Sequence, residues 1–262
     1  KTAYEMLLGD WSSDVCSSDL EQAVVHSKLG VMTSNSDNAL LHSHNGITVY
    51  HPLNVVWDMY KDARMGASME SYLKGYKDAR ISKYFSQATE PAGDYHGMRN
   101  GIIVDNIEGY RALSCPNVQK SDPVQWMCAA EAYFLRAEGA LRQWNMNGDA
   151  QELYEQGVRT SFEQHGAALG NYLTDDTAQP AKFEDKVGNN SAAPRSTITP
   201  VYDSAAGFET NLERIITQKW LAMYPEGMEA WSEFRRTGYP KIFPVVTNYS
   251  GGTIDTEKQI RR

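Results

Sequence analysis

Apolar residues fall at helical spacing in several separate stretches of the chain. Met69, Tyr72, Leu73 and Tyr76 recur three and four residues apart, which predicts a helix over 68–76 with Ser68 as its N-cap. Asp78-Ala79-Arg80-Ile81-Ser82-Lys83-Tyr84-Phe85 predicts a turn followed by a short helix. Asp122-Pro123 marks a further start, because Asp accepts free amide hydrogens and Pro has none to waste there. That helix is expected to run from Pro123 to about Gln143, with Met127, Ala130, Phe134, Ala137 and Leu141 on one face and small residues such as Ala129, Ala132 and Gly139 admitting a close neighbour. Asn145-Met146-Asn147-Gly148 breaks it. Asp149 and Glu152 then open a helix whose stripe of Leu153, Tyr154, Gly157, Val158, Ser161 and Phe162 ends near Gly166.

A second hairpin is predicted from Thr210, where Thr210 and Glu213 fit a capping box ahead of Leu212, Ile215, Ile216, Lys219, Trp220 and Met223. Pro225-Glu226-Gly227 turns the chain. Met228, Trp231 and Phe234 follow at helical spacing and are read as core, until Thr237-Gly238-Tyr239-Pro240 stops the helix. The stretch 21–117 mixes short helices with irregular segments, and 175–200 reads as a polar surface connection. The predicted fold class is mainly α: tetratricopeptide-like helical hairpins with long irregular loops, although no strict ~34-residue repeat is visible.

Composition narrows the function classes. Of 262 residues 41% are hydrophobic, enough for a substantial core. Acidic residues outnumber basic ones by 33 to 25, and the formal charge of −8 argues against a nucleic-acid partner. No window approaches the roughly 18 continuous apolar residues of a membrane span. Cys16, Cys115 and Cys128 are too few and too widely spaced for a disulfide framework or a zinc knuckle. Trp11 to Leu20 has no helical or strand period, and Asp14-Val15-Cys16-Ser17-Ser18-Asp19-Leu20 resembles the translation of a short-read sequencing adapter. Residues 1–20 are therefore expected to be a foreign or artefactual segment, and 21–262 the folded part, which the family resemblance given below implies to be a partial domain truncated at both ends.

Glu213 to Trp220, followed by Tyr224-Pro225-Glu226-Gly227 and by Glu229 to Pro240, resembles the C-terminal signature of SusD/RagB-like proteins. Ser68 to Tyr76, Gly30 to Asn35, and Ala130 to Phe162 are similar to the same family, so the likeness covers most of Glu21 to Arg262. The resemblance implies an exported, lipid-anchored outer-membrane protein of Bacteroides-type bacteria, about twice this length. It also implies a lid on a SusC-like TonB-dependent transporter that takes up oligosaccharides or peptides. Two positions depart from the family pattern: its frequent Asp-Pro-Arg stands here as Asp78-Ala79-Arg80, and His165 occupies a place where an aromatic is often found.

The residues themselves offer little catalytic chemistry. His42-Ser43-His44 with His51 lacks the spacing that makes a metal site specific, so neither a metal nor a cofactor is expected. Glu131 and Glu138 lie two helical turns apart, the one arrangement that suits an acid/base pair of an α-helical glycosidase, but Arg136 and Arg142 favour ordinary ion pairing. No phosphate loop and no G-x-S-x-G elbow occurs. The cluster Glu229, Trp231, Glu233, Arg235 and Arg236 is read as structural. For ligand contact the loop aromatics Trp57, Tyr60, Tyr95, His96 and Tyr110 are the candidates, since flat faces with polar tips suit sugar rings. Nutrient binding leads, ahead of a tetratricopeptide-type adaptor and an α-helical carbohydrate-active enzyme.

Overall fold

A computed structural model of the chain describes residues 30–42 and 50–256, together with Glu21, Gln22 and Val24. Residues 1–20 and His44 of the histidine group lie outside the described residues. In chain order come β1 (Ala39–Leu41), the one-turn helix α1 (Pro52–Asn54) continued by a π-turn over Val55–Met59, α2 (Ala67–Gly75), α3 (Ile81–Tyr84) and α4 (Ile107–Arg111). They are followed by β2 (Val124–Met127), α5 (Ala129–Leu141), α6 (Ala150–Gln164), α7 (Phe208–Ala222) and α8 (Gly227–Thr237).

The core is the α5–α6 hairpin with α7 packed against α5. Phe134, Tyr154, Val158, Phe162, Ile215, Ile216 and Leu221 fill it, and Tyr72 and Leu73 of α2 with Tyr76 at its C-cap close it from the side. Asp149 caps α6 as its sequence predicts, its carboxylate accepting from the Glu152 amide at 2.9 Å. Gly157 permits the close hairpin crossing: a Cβ there would stand 2.9 Å from the Phe134 ring.

The helix expected from Pro123 begins instead at Ala129. Val124–Met127 is a strand, pairing antiparallel with Ala39–Leu41 so that Ala39 faces Met127 and Leu41 faces Val124. The local start signal loses to this long-range ladder, and the cap arrives through space: the Ala129 amide donates to Asn38 Oδ1 at 2.8 Å. Two other start sites also move. Gly66, not Ser68, is the N-cap of α2, and the Ser68 hydroxyl accepts from the Phe243 amide at 2.9 Å. Gly207, not Thr210, precedes α7, and Glu213 forms no capping box because its carboxylate pairs with Lys241 at 2.8 Å and accepts from Ser196.

Two buried polar clusters tie these elements together. Arg80, with no exposed surface, meets Asp78 side-on, Nε to Oδ1 at 3.0 Å and Nη2 to Oδ2 at 2.6 Å. Its remaining hydrogens reach Ser161 Oγ of α6 at 2.8 Å, the Tyr172 hydroxyl at 3.3 Å and Gln218 Oε1 of α7 at 3.3 Å, while the guanidinium lies 4.3 Å over the Phe162 ring. The Asp78-Ala79-Arg80 turn is thus the point where α2, α6 and α7 are joined. The second cluster centres on Lys219 of α7, 1% exposed, which faces Glu229 at 3.0 Å and Glu131 and Glu233 at 3.5 Å. Beside it, Arg236 bridges Glu138 and Glu233, both at 2.6 Å, and Arg142 also holds Glu138.

This second cluster corrects the reading of α8. Glu233 and Phe234 are buried, whereas Met228 is 72% and Trp231 48% exposed. Because α5 presents Glu138 and α7 presents Lys219 to it, α8 turns Glu233 and Arg236 toward them along with Phe234, and leaves Met228 and Trp231 of its apolar stripe outside. The Arg235 guanidinium lies 4.7 Å above the Trp231 ring. Trp231→Ala is therefore expected to cost about 1 kcal/mol or less rather than the several kcal/mol of a buried aromatic, a difference that urea denaturation resolves.

Candidate functional site

The ligand candidates begin with the segment that follows α1. His51 Nδ1 accepts from the Leu53 amide at 3.2 Å and starts the turn. Asn54 Nδ2 and Trp57 Nε1 then both donate to the carbonyl of Val118, at 2.9 and 3.0 Å, which fixes this piece to the neighbouring loop. The π-turn rotates the side chains outward, so Val56, Met59 and Tyr60 stand 41%, 62% and 65% exposed around the half-buried Trp57. Lys61 closes one side, paired with Asp58 at 3.0 Å and lying 5.9 Å from the Trp57 ring. The result is an apolar and aromatic ledge whose one buried polar edge is already hydrogen-bonded.

The other three candidates do not join this ledge. Tyr95 packs against the main core. His96 is buried beside Glu70, 3.7 Å from Oε1, and burial followed by the Lys74 charge holds its ring below the ordinary imidazole range. Tyr110 is 4% exposed and donates to Asp185 Oδ2 at 3.3 Å. His96 and Tyr110 are therefore turned to the interior and present no ring face. Trp126, 71% exposed, is an open ring outside the sequence candidates, because its segment reads as helix, and Tyr50 is 46% exposed with Lys120 Nζ 3.8 Å over its ring.

The carboxylates considered for acid/base work are structural in geometry. Burial pushes the Glu138 carboxyl up, but the Arg236 and Arg142 guanidiniums more than offset it and hold it below the usual range. Burial raises Glu131, partly countered by Lys219. Arg136 takes no part, donating instead to the carbonyls of Met146 and Asn147. His42 is exposed and His51 caps a helix; among the described residues no group of three or more His, Cys, Asp or Glu is placed to hold a metal ion.

A cleft of about 370 Å³ lies between the start of α2 and the α7–α8 turn. Met69, Phe85, Trp220 and Phe243 wall it, and Arg64 and Arg99 stand at its edge with their guanidiniums on backbone carbonyls.

The described residues thus form helical hairpins pinned by buried ion pairs, with long loops that carry outward rings. Comparison with known proteins gives the family. The profile of the SusD-like family, described as Susd and RagB outer membrane lipoprotein, matches residues 12–262. The chain belongs to this family. Among solved structures it is similar to a chitin-binding SusD homolog from Flavobacterium johnsoniae, at 44% identity and a TM-score of 0.89 over 94% of this chain and 51% of that one. A susD homolog from Bacteroides thetaiotaomicron matches at 42% identity and 0.86, over 94% of this chain and 51% of that chain. One from Bacteroides ovatus matches at 35% and 0.84, over 97% of this chain and 53% of that chain. The chain spans about half the length of these relatives. No curated protein matches it significantly.

Proposed function

We propose that the protein captures a glycan at the outer surface of the outer membrane, as a lipid-anchored lid, and passes it unchanged to a SusC-like TonB-dependent transporter. The observation that carries this reading is the 44% identity, over 94% of the chain, to a structure described as chitin-binding. An acetamido-bearing oligosaccharide is accordingly the first ligand to test, and a peptide the second.

The ledge of Trp57 and Tyr60 is the surface assigned to it. A pyranose ring has one apolar face that stacks on an aromatic, and its equatorial hydroxyls stay in water at the edge. The reading of a carrier without turnover is supported by the engagement of Glu131 and Glu138 in ion pairs with Lys219, Arg236 and Arg142. An open ledge buries little ligand surface, so each site binds weakly.

Trp57→Ala and Tyr60→Ala are each expected to weaken binding of chitotriose about tenfold or more, by loss of roughly 1–3 kcal/mol of stacking. Calorimetric titration checks this, with thermal denaturation as the control for folding. Unchanged affinity in both variants would remove the ledge from the site.

A further inference from the structure

Asp122-Pro123 starts no helix, and the Asp122 carboxylate has a different partner: it accepts from the Gln119 amide at 2.8 Å. That amide is one end of the peptide unit whose other end is the Val118 carbonyl. On this carbonyl Asn54 Nδ2 and Trp57 Nε1 converge, at 2.9 and 3.0 Å. One planar peptide thus links a carboxylate on one side to two donors of the ledge segment on the other. The loop that carries it is fixed independently, by the Asn117 amide on the Tyr84 carbonyl at 2.8 Å and by the His51 amide on the Lys120 carbonyl at 3.1 Å.

This arrangement bears on the Trp57 ring. A carbonyl oxygen has two lone pairs, and here each has its own donor. Asn54 is 4% and Val118 8% exposed, so the bonds are made away from bulk water. There an anionic acceptor on the Gln119 N–H makes the carbonyl of the same peptide a stronger acceptor. A single bond at Nε1 would leave the indole free to swing about it. Asn54, three residues earlier, ties the same segment to the same oxygen, and the two anchors together hold it against sliding and rolling.

We infer that Asn54 and Asp122 are positioning residues for glycan binding, which set the tilt of the Trp57 ring through the Val118–Gln119 peptide without touching the ligand. This rests on the reading of the Trp57 ledge as the glycan surface. A ring already held at its angle binds a sugar face more tightly than one ordered only on binding, because the ordering has been done by the fold.

Asn54→Leu keeps the side-chain size and leaves the Val118 carbonyl bonded to Trp57, so no buried acceptor is orphaned. It weakens chitotriose binding about three- to fivefold. Asp122→Asn keeps an acceptor for the Gln119 amide but removes its charge, and gives a smaller loss, about twofold. Both move the Trp57 indole N–H resonance upfield and speed its exchange with solvent, because its hydrogen bond is weakened.

The test is calorimetric titration with chitotriose of Asn54→Leu, Asp122→Asn, Trp57→Ala and the combination of Asn54→Leu with Trp57→Ala. Melting temperatures and NMR of the indole N–H accompany it, the resonance being assigned by its disappearance in Trp57→Ala. Weaker binding in the first two variants, a displaced indole resonance and no further loss when Asn54→Leu is added to Trp57→Ala are expected. An unmoved resonance, or a loss that adds in full to that of Trp57→Ala, overturns the positioning role. So does a melting temperature that falls in step with affinity in both variants. Should Asn54→Leu fold poorly, Asp122→Asn carries the test through the same readouts. Unchanged affinity in Trp57→Ala overturns the ledge itself, an outcome told apart from the others because the indole resonance in Asn54→Leu still moves.

Discussion

Arg80→Met is expected to remove about 3–5 kcal/mol of stability, enough to leave much of the protein unfolded at 37 °C. The magnitude follows from what the substitution leaves behind. Asp78, 1% exposed, loses both charge-assisted bonds and remains a buried carboxylate, while Ser161, Tyr172 and Gln218 lose a shared donor. Asp78→Leu combined with Arg80→Met should be less damaging than Arg80→Met alone, since no uncompensated charge stays inside. Urea denaturation of the single and double variants measures this. A double variant as unstable as the single one would mean that shape, not charge pairing, sets the role of this turn.

Lys219→Met should have a comparable cost, about 3–5 kcal/mol, and a pH dependence that marks its cause. Without the ammonium group Glu131 and Glu233 face each other's charge in a buried space, and Glu131 is already raised by burial. In the variant the folded-state pKa of Glu131 rises further above its unfolded value. Stability is then greatest below the unfolded pKa and is lost as pH rises through the folded one. The deficit relative to the unchanged protein is thus expected to narrow between neutral pH and about pH 5, in denaturation curves taken across that range. A deficit independent of pH would point to lost packing of the lysine stem instead.

The elements legible in the sequence were those whose signals are local. The α6 helix has its cap at Asp149 and its stripe from Leu153 to Phe162 in one continuous segment, and α2 shows its buried face in Met69, Tyr72 and Leu73. Where a partner lies far along the chain, local signals misled. Asp122-Pro123 looks like a helix start because nothing nearby announces pairing of Val124–Met127 with Ala39–Leu41. On α8 the helical spacing places Phe234 in the core correctly but not Trp231, because hydrophobic spacing cannot show that Lys219 and Glu138 wait on the neighbouring helices to receive its charges. Arg80 stood out only as part of a family motif; its partners Ser161 and Gln218 are 81 and 138 residues away.

The ligand surface was less legible than the fold. Ring-bearing loops suggest sugar contact in general, but exposure decides which rings serve, and exposure is a tertiary property. Trp57 and Tyr60 come together because a π-turn places them on one ledge, whereas Asp185 draws Tyr110 inward from 75 residues away.

The central claim is capture of a glycan without chemistry, and product analysis after long incubation with chitin oligosaccharides, alongside calorimetric binding, tests it most directly. The expected result is measurable binding with every oligosaccharide recovered at its original length. Shortened products that disappear when Glu131 or Glu138 is changed to Gln would contradict it.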